Sequence, residues 1–162
     1  MPRFLSPANN ALLLLALGLA LGACTTSSVL TREVRVKAHD AQVWNDFMPG
    51  SRPLCHATLQ LTLRNTTERD IVLFGGEGLL SIPRSGAPLR RFPLIMLYQN
   101  VETKEVRLAP GMEIELMIRT PIGVPAFDPK MKERVRFSAE FRTSLDRALR
   151  VESRPATPFV TQ

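Results

Sequence analysis

The chain has 162 residues, 44% of them hydrophobic, and carries a net charge of +6 from 21 basic and 15 acidic side chains. This length makes one domain able to bury a real core without metals, and two cysteines exclude a disulfide-stapled scaffold. The positive charge is mostly arginine scattered along the sequence, not the aromatic–basic interleaving of a stacking platform, so no nucleic-acid partner is expected.

From the N-terminus, Arg3 is followed by an apolar run over residues 11–21 and then by Gly22-Ala23-Cys24. A positive end, an apolar core and slender residues before a cleavage point are the three parts of a secretory leader. The unbroken run is about half of the ~20 residues that a spanning helix needs. Leu21-Gly22-Ala23-Cys24 resembles the lipobox of bacterial lipoproteins. The resemblance implies cleavage before Cys24, a diacylglycerol thioether on its sulfur and acylation of the new amino group, palmitate being the expected chain. Residues 1–23 are therefore read as a signal peptide and 24–32 as the lipidated tether. Each buried methylene adds ~0.8 kcal/mol, and several acyl chains together hold a protein on a bilayer essentially without exchange. Thr25 stands where an aspartate would typically retain such a protein at the inner membrane. The expected location is the periplasmic face of the outer membrane. With Cys24 consumed by lipid, Cys55 has no disulfide partner, and packing must hold the fold.

Beyond the tether, apolar residues recur at every second position, the period of strands with one buried face. Val34, Val36 and Ala38 alternate with Glu33, Arg35 and Lys37 in a first strand. Residues 39–53 are broken by Pro49-Gly50 and Pro53 and are expected to be irregular; they hold Trp44, the single tryptophan. The strongest strand follows, with Cys55, Ala57, Leu59, Leu61 and Leu63 on one face and His56, Thr58, Gln60, Thr62 and Arg64 on the other. A polar turn over 65–70 leads to an apolar strand over 71–74, a glycine turn or bulge at 75–78, and a strand over 79–82. Pro93 interrupts residues 89–98, which suits an edge strand or a crossover. Val106 and Leu108 form a short strand before the Pro110-Gly111 turn. Residues 112–119 and 134–142 alternate as strands on either side of a proline-rich loop, and 148–152 make an edge strand or a short helical turn. About seven to eight short strands without a helical period specify an all-β chain, and the pattern is similar to immunoglobulin-like β-sandwich modules. The sandwich is assigned to 33–154 and a flexible tail to 155–162.

No nucleophile–base–acid set is visible. His39 and His56 are the two histidines, and neither stands near a Gly-x-Ser-x-Gly elbow. Gly75-Gly76-Glu77-Gly78 lacks the lysine and helix of a phosphate loop. Asp40, Asp46, Glu77 and Asp128 fall in or near loops as solvated carboxylates. No enzymatic activity, cofactor or metal site is expected. Cys55 and His56, with Met48, Met96, Met112 or Met117, carry the soft donors that cuprous ion favours. Neighbours on a strand point to opposite faces, however, which puts Cys55 in the core and His56 at the surface. What remains is contact surface: Trp44 and Phe47 beside Pro49-Gly50, and Phe127 in the proline-rich loop. Aromatics at the end of a sandwich either build a binding surface on a rigid scaffold or fold back as lids. The expectation is a lipid-anchored, non-enzymatic binding or accessory subunit of an envelope assembly. It would meet the membrane through Cys24 and an envelope protein through Trp44, Phe47 and Phe127. A small-ligand or copper-handling lipoprotein is the alternative.

Overall fold

In the computed structural model, which describes residues 32–47, 50, 52–128 and 133–161, every regular element is a strand. In chain order they are β1 (Val34–Ala38), β2 (Gln42–Asp46), β3 (Leu54–Asn65), β4 (Ile71–Ser81), β5 (Pro88–Pro93) and β6 (Ile95–Tyr98). There follow β7 (Val101–Thr103), β8 (Glu105–Leu108), β9 (Glu113–Arg119), β10 (Arg136–Thr143), β11 (Ala148–Glu152) and β12 (Phe159–Thr161). The signal peptide, Cys24, the rest of the tether up to residue 31, and Met48 lie outside the described residues.

Two sheets pack face to face, as the alternation requires. One runs β12-β2-β3-β9-β6-β7 with β1 also on β3; the other runs β11-β10-β4-β5 with β8 also on β4. β1 and β2 divide one side of β3 between them, and β8 and β5 divide one side of β4. The chain leaves the second sheet at Pro93 and enters the first at Ile95, so the proline marks a crossover from the edge strand β5 to β6, which lies between β9 and β7. The result is an immunoglobulin-like β-sandwich whose connections pass repeatedly from one sheet to the other.

Leu59, Leu61 and Leu63 of β3 and Leu116 and Ile118 of β9 are fully buried, as are Leu73, Leu80, Phe137 and Phe141 of the second sheet. Phe92 meets Phe137 edge-to-face, centroids 5.6 Å apart. Burying one such side chain contributes about 1.5–3 kcal/mol. Among the described residues the buried hydrophobic side chains all lie between Val34 and Val151.

At one end of β3, Asn65 is fully buried, and its side chain gathers the surrounding turns. Its Nδ2 donates to the carbonyls of Arg69 at 2.7 Å and Leu108 at 2.9 Å, and its Oδ1 accepts from the Thr67 amide at 2.9 Å. A polar residue this deep is tolerated because its hydrogen-bonding groups find partners.

Several sequence expectations need correction. Residues 39–53 are not wholly irregular: they contain β2, in which Val43 and Asn45 are buried while Trp44 and Asp46 are half-exposed. The glycine segment is a bulge inside one strand, not a turn. Gly75 and Gly76 together oppose Phe141, and a Cβ on Gly76 would stand 1.8 Å from the Glu140 carbonyl oxygen. The turn Gln99-Asn100, with φ of 52° and 65°, closes a β6–β7 hairpin that the pattern did not suggest. Residues 155–162 are not simply a tail, because β12 pairs parallel to β2. These short and divided segments raise the strand count to twelve among the described residues.

Candidate functional site

The end of the first sheet that carries β2 and β12 bears an unusual surface. Cross-strand pairing puts Trp44 opposite His56 on one side and opposite Phe159 on the other. The Trp44 and His56 rings stack with centroids 5.3 Å apart and planes 20° off parallel. Trp44 and Phe159 stack at 6.0 Å and 17°. Three strands thus stand three rings in file on the outer face. Phe159 is 49% exposed, so the file ends in open apolar surface. The arrangement follows from strict alternation: Val43 and Cys55 point inward, which turns Trp44 and His56 outward.

Sequence reasoning grouped Trp44, Phe47 and Phe127 as one contact surface, and the structure divides them. Trp44 is half-exposed in the ring file, and Phe47, which follows β2 directly, is half-buried. Phe127 is only 6% exposed and belongs to the core, so it is a lid and not a contact residue. The cause is Asn45, itself buried. Its Oδ1 accepts from the Phe127 amide at 3.1 Å and its Nδ2 donates to the Phe127 carbonyl at 3.3 Å, holding the loop like a strand partner. The Arg90 guanidinium stands 6.0 Å over the Phe127 ring and donates to the carbonyls of Leu89 and Pro125. Phe159 was missed because it lay in the presumed tail, although Phe159-Val160-Thr161 is a run of strand-favouring residues.

Cys55 lies on the inner face of β3 with no exposure, and burial pushes its thiol pKa up to about 12 against the opposing field of Arg90. It is a neutral core thiol. His56 faces the other way, Met96 is buried in the core, and Met112 and Met117 sit half-buried on and beside β9. Among the described residues no cluster of three histidine, cysteine or carboxylate side chains could hold a metal ion. The loop carboxylates do not converge either: Glu77 stands 3.7 Å from Arg91 in the second sheet, while Asp46 ends β2 in the first.

A second feature is an open cleft of about 800 Å³ where β5 and β8 part along β4, floored by Gly75, Gly76 and Met96. Glu77, Glu102 and Glu140 in its wall are paired with Arg91, Arg119 and Arg150. Its lining holds no histidine, cysteine or serine.

No protein-family model matches the chain, and no characterised protein matches it in sequence. Among solved structures, the chain is similar to Northeast Structural Genomics Consortium target SoR45, with 11% identity over 82% of this chain and 90% of that one and a TM-score of 0.48. It is similar to the apo PmoF2 PCuAC domain, with 9% identity over 74% and 87% of the two chains and a TM-score of 0.39. It is also similar to the ASH / PapD-like domain of human CEP192 (PapD-like domain 7), with 10% identity over 100% and 97% and a TM-score of 0.42. At these values none of them indicates what this chain binds.

Proposed function

We propose that the chain is a lipid-anchored, non-enzymatic accessory lipoprotein of the bacterial envelope, held at the periplasmic face of the outer membrane through Cys24 and contacting an envelope protein. The contact surface is the ring file Phe159–Trp44–His56. The observation that carries the reading is the position of that file. The tether enters at β1, whose first residue pairs with Asn65 at one end of β3; His56 lies near the other end. The rise along a strand separates the two by about 30 Å, so the rings stand at the end of β3 opposite the one where the described chain enters. The lipobox-like Leu21-Gly22-Ala23-Cys24 supports the anchor itself. Copper handling through Cys55 is not favoured, because the thiol is buried and shares no face with His56.

Two substitutions test the reading. Cys24→Ser should move the protein from the membrane to soluble or uncleaved fractions; a processed, membrane-bound variant would refute the anchor. Trp44→Ala should weaken co-purification of an envelope protein by ~2 kcal/mol or more if the ring is a contact hot spot. Undiminished co-purification would remove the ring file from the reading.

A further inference from the structure

Resting on the lipoprotein reading, we propose that the corner formed by β1 and β3 docks on anionic phospholipid headgroups of the membrane that carries the anchor. Arg35 and Arg64 are direct cross-strand partners, and Lys37 lies opposite Thr62 on the same outer face. Arg35, Lys37 and Arg64 are exposed, and among the described residues none stands within ion-pair distance of a carboxylate, Arg64 having Glu113 opposite it on β9. Elsewhere, Arg91, Arg107, Arg119, Arg136, Arg147 and Arg150 each pair with an acidic side chain, and the exposed arginines that do not, such as Arg84 and Arg154, are not direct cross-strand partners of another basic residue. Like charges placed directly opposite destabilise a sheet, so the fold itself gains nothing from the Arg35–Arg64 pairing. An external anion would resolve it.

The acidic groups nearby do not neutralise this corner. Glu33 is held by Arg147 at 2.7 Å. Glu113 faces Arg64 from β9, and Glu115 accepts from Gln60, so both acids lie on the side of β3 away from β1. The positive pole is therefore the β1 edge. Chain geometry brings that edge to the membrane: the segment from Cys24 to Arg32 reaches at most about 28 Å when fully extended. Phospholipid phosphates are then within reach of the corner, and each basic side chain near an anionic surface strengthens binding about fivefold. Docking here stands the sandwich on its tethered end and keeps the ring file directed away from the bilayer.

The test uses the chain from residue 24 with Cys24→Ser, which is lipid-free and keeps every core residue. Flotation with phosphatidylcholine vesicles should show binding only when phosphatidylglycerol is included, and added salt should release it. Replacing Arg35 and Arg64 by glutamine should lower partitioning about 25-fold, at fivefold per charge. Replacing Arg84 and Arg154, exposed and without carboxylate partners at the far end, should leave it unchanged. Equal losses from the two pairs would mean attraction by net charge alone, and binding without phosphatidylglycerol would mean no headgroup recognition; either overturns the proposal. The mass of the N-terminal peptide from the full chain reads lipidation separately. An unlipidated Cys24 overturns the anchor, whereas lost vesicle selectivity overturns the docking.

Discussion

A buried asparagine stands at each end of β3, Asn65 on the strand itself and Asn45 on its neighbour β2, and the two ends use it differently. Asn65 closes its end: one side chain satisfies Arg69, Thr67 and Leu108, and little apolar surface remains around the turns. Asn45 closes only the inside of the opposite end by fixing Phe127, while the outer face there keeps stacked rings and an exposed Phe159. A fully satisfied polar hub is a structural device. Exposed rings beyond a closed core are surface the fold does not require.

The sharpest way to break this comparison is Asn65→Ala, which orphans the buried Leu108 carbonyl and takes a partner from the Arg69 carbonyl and the Thr67 amide. Each unsatisfied group costs about 1–3 kcal/mol, and the summed loss should reach about 3–5 kcal/mol in urea melts. A loss below about 1 kcal/mol would mean that the hub is not structural. Asn45→Ala should cost less, about 2–3 kcal/mol, because one residue is released; Phe127 should then become accessible to protease. An unchanged midpoint would mean that Phe127 is held by packing alone.

Cys55 probes the dryness of the interior just beneath His56. Its folded pKa of about 12 lies above the ordinary 9.0, so the unfolded chain loses the thiol proton first as pH rises. Stability should therefore fall as pH rises from 9.0 towards 12, with this group contributing up to about 1.4 kcal/mol per pH unit. Cys55→Ala should flatten that slope relative to wild type. Identical slopes would show that the thiol is solvated. The smallest effect is expected at Phe159→Ala: loss of one ring contact, about 0.5–1.5 kcal/mol, with a red shift in the emission of Trp44. A loss as large as that of Asn45→Ala would make the ring file part of the core and erase the contrast between the two ends.

The sequence carried the alternating strands plainly. β3, β9 and β10 each place bulky apolar residues at every second position, and their inward and outward faces agree with burial. It did not carry β2, because Asn45 occupies an inward position and a buried amide reads as a loop residue until its partner is known. Phe127 was misread for the same reason: the asparagine that holds it is distant in sequence. The glycine bulge was half legible. Composition showed that the backbone does something special there, but only the pairing with β10 on both sides of the glycines shows that β4 continues through it. Cys55 and His56 were legible because a strand's period alone decides which way each points.

The parallel pairing of β12 with β2 also bears on the order in which the molecule assembles. Trp44 and Phe159 are 115 positions apart, so their contact closes one of the longest loops in the chain. Contacts of such separation carry a large loop-closure entropy and form late in folding. In a chain emerging from its N-terminus, the Trp44 ring waits with one face uncovered until residue 159 arrives. Chaperones that recognise exposed aromatics should thus find this corner last protected, and a nick between β11 and β12 should remove the outermost ring while leaving the buried core intact.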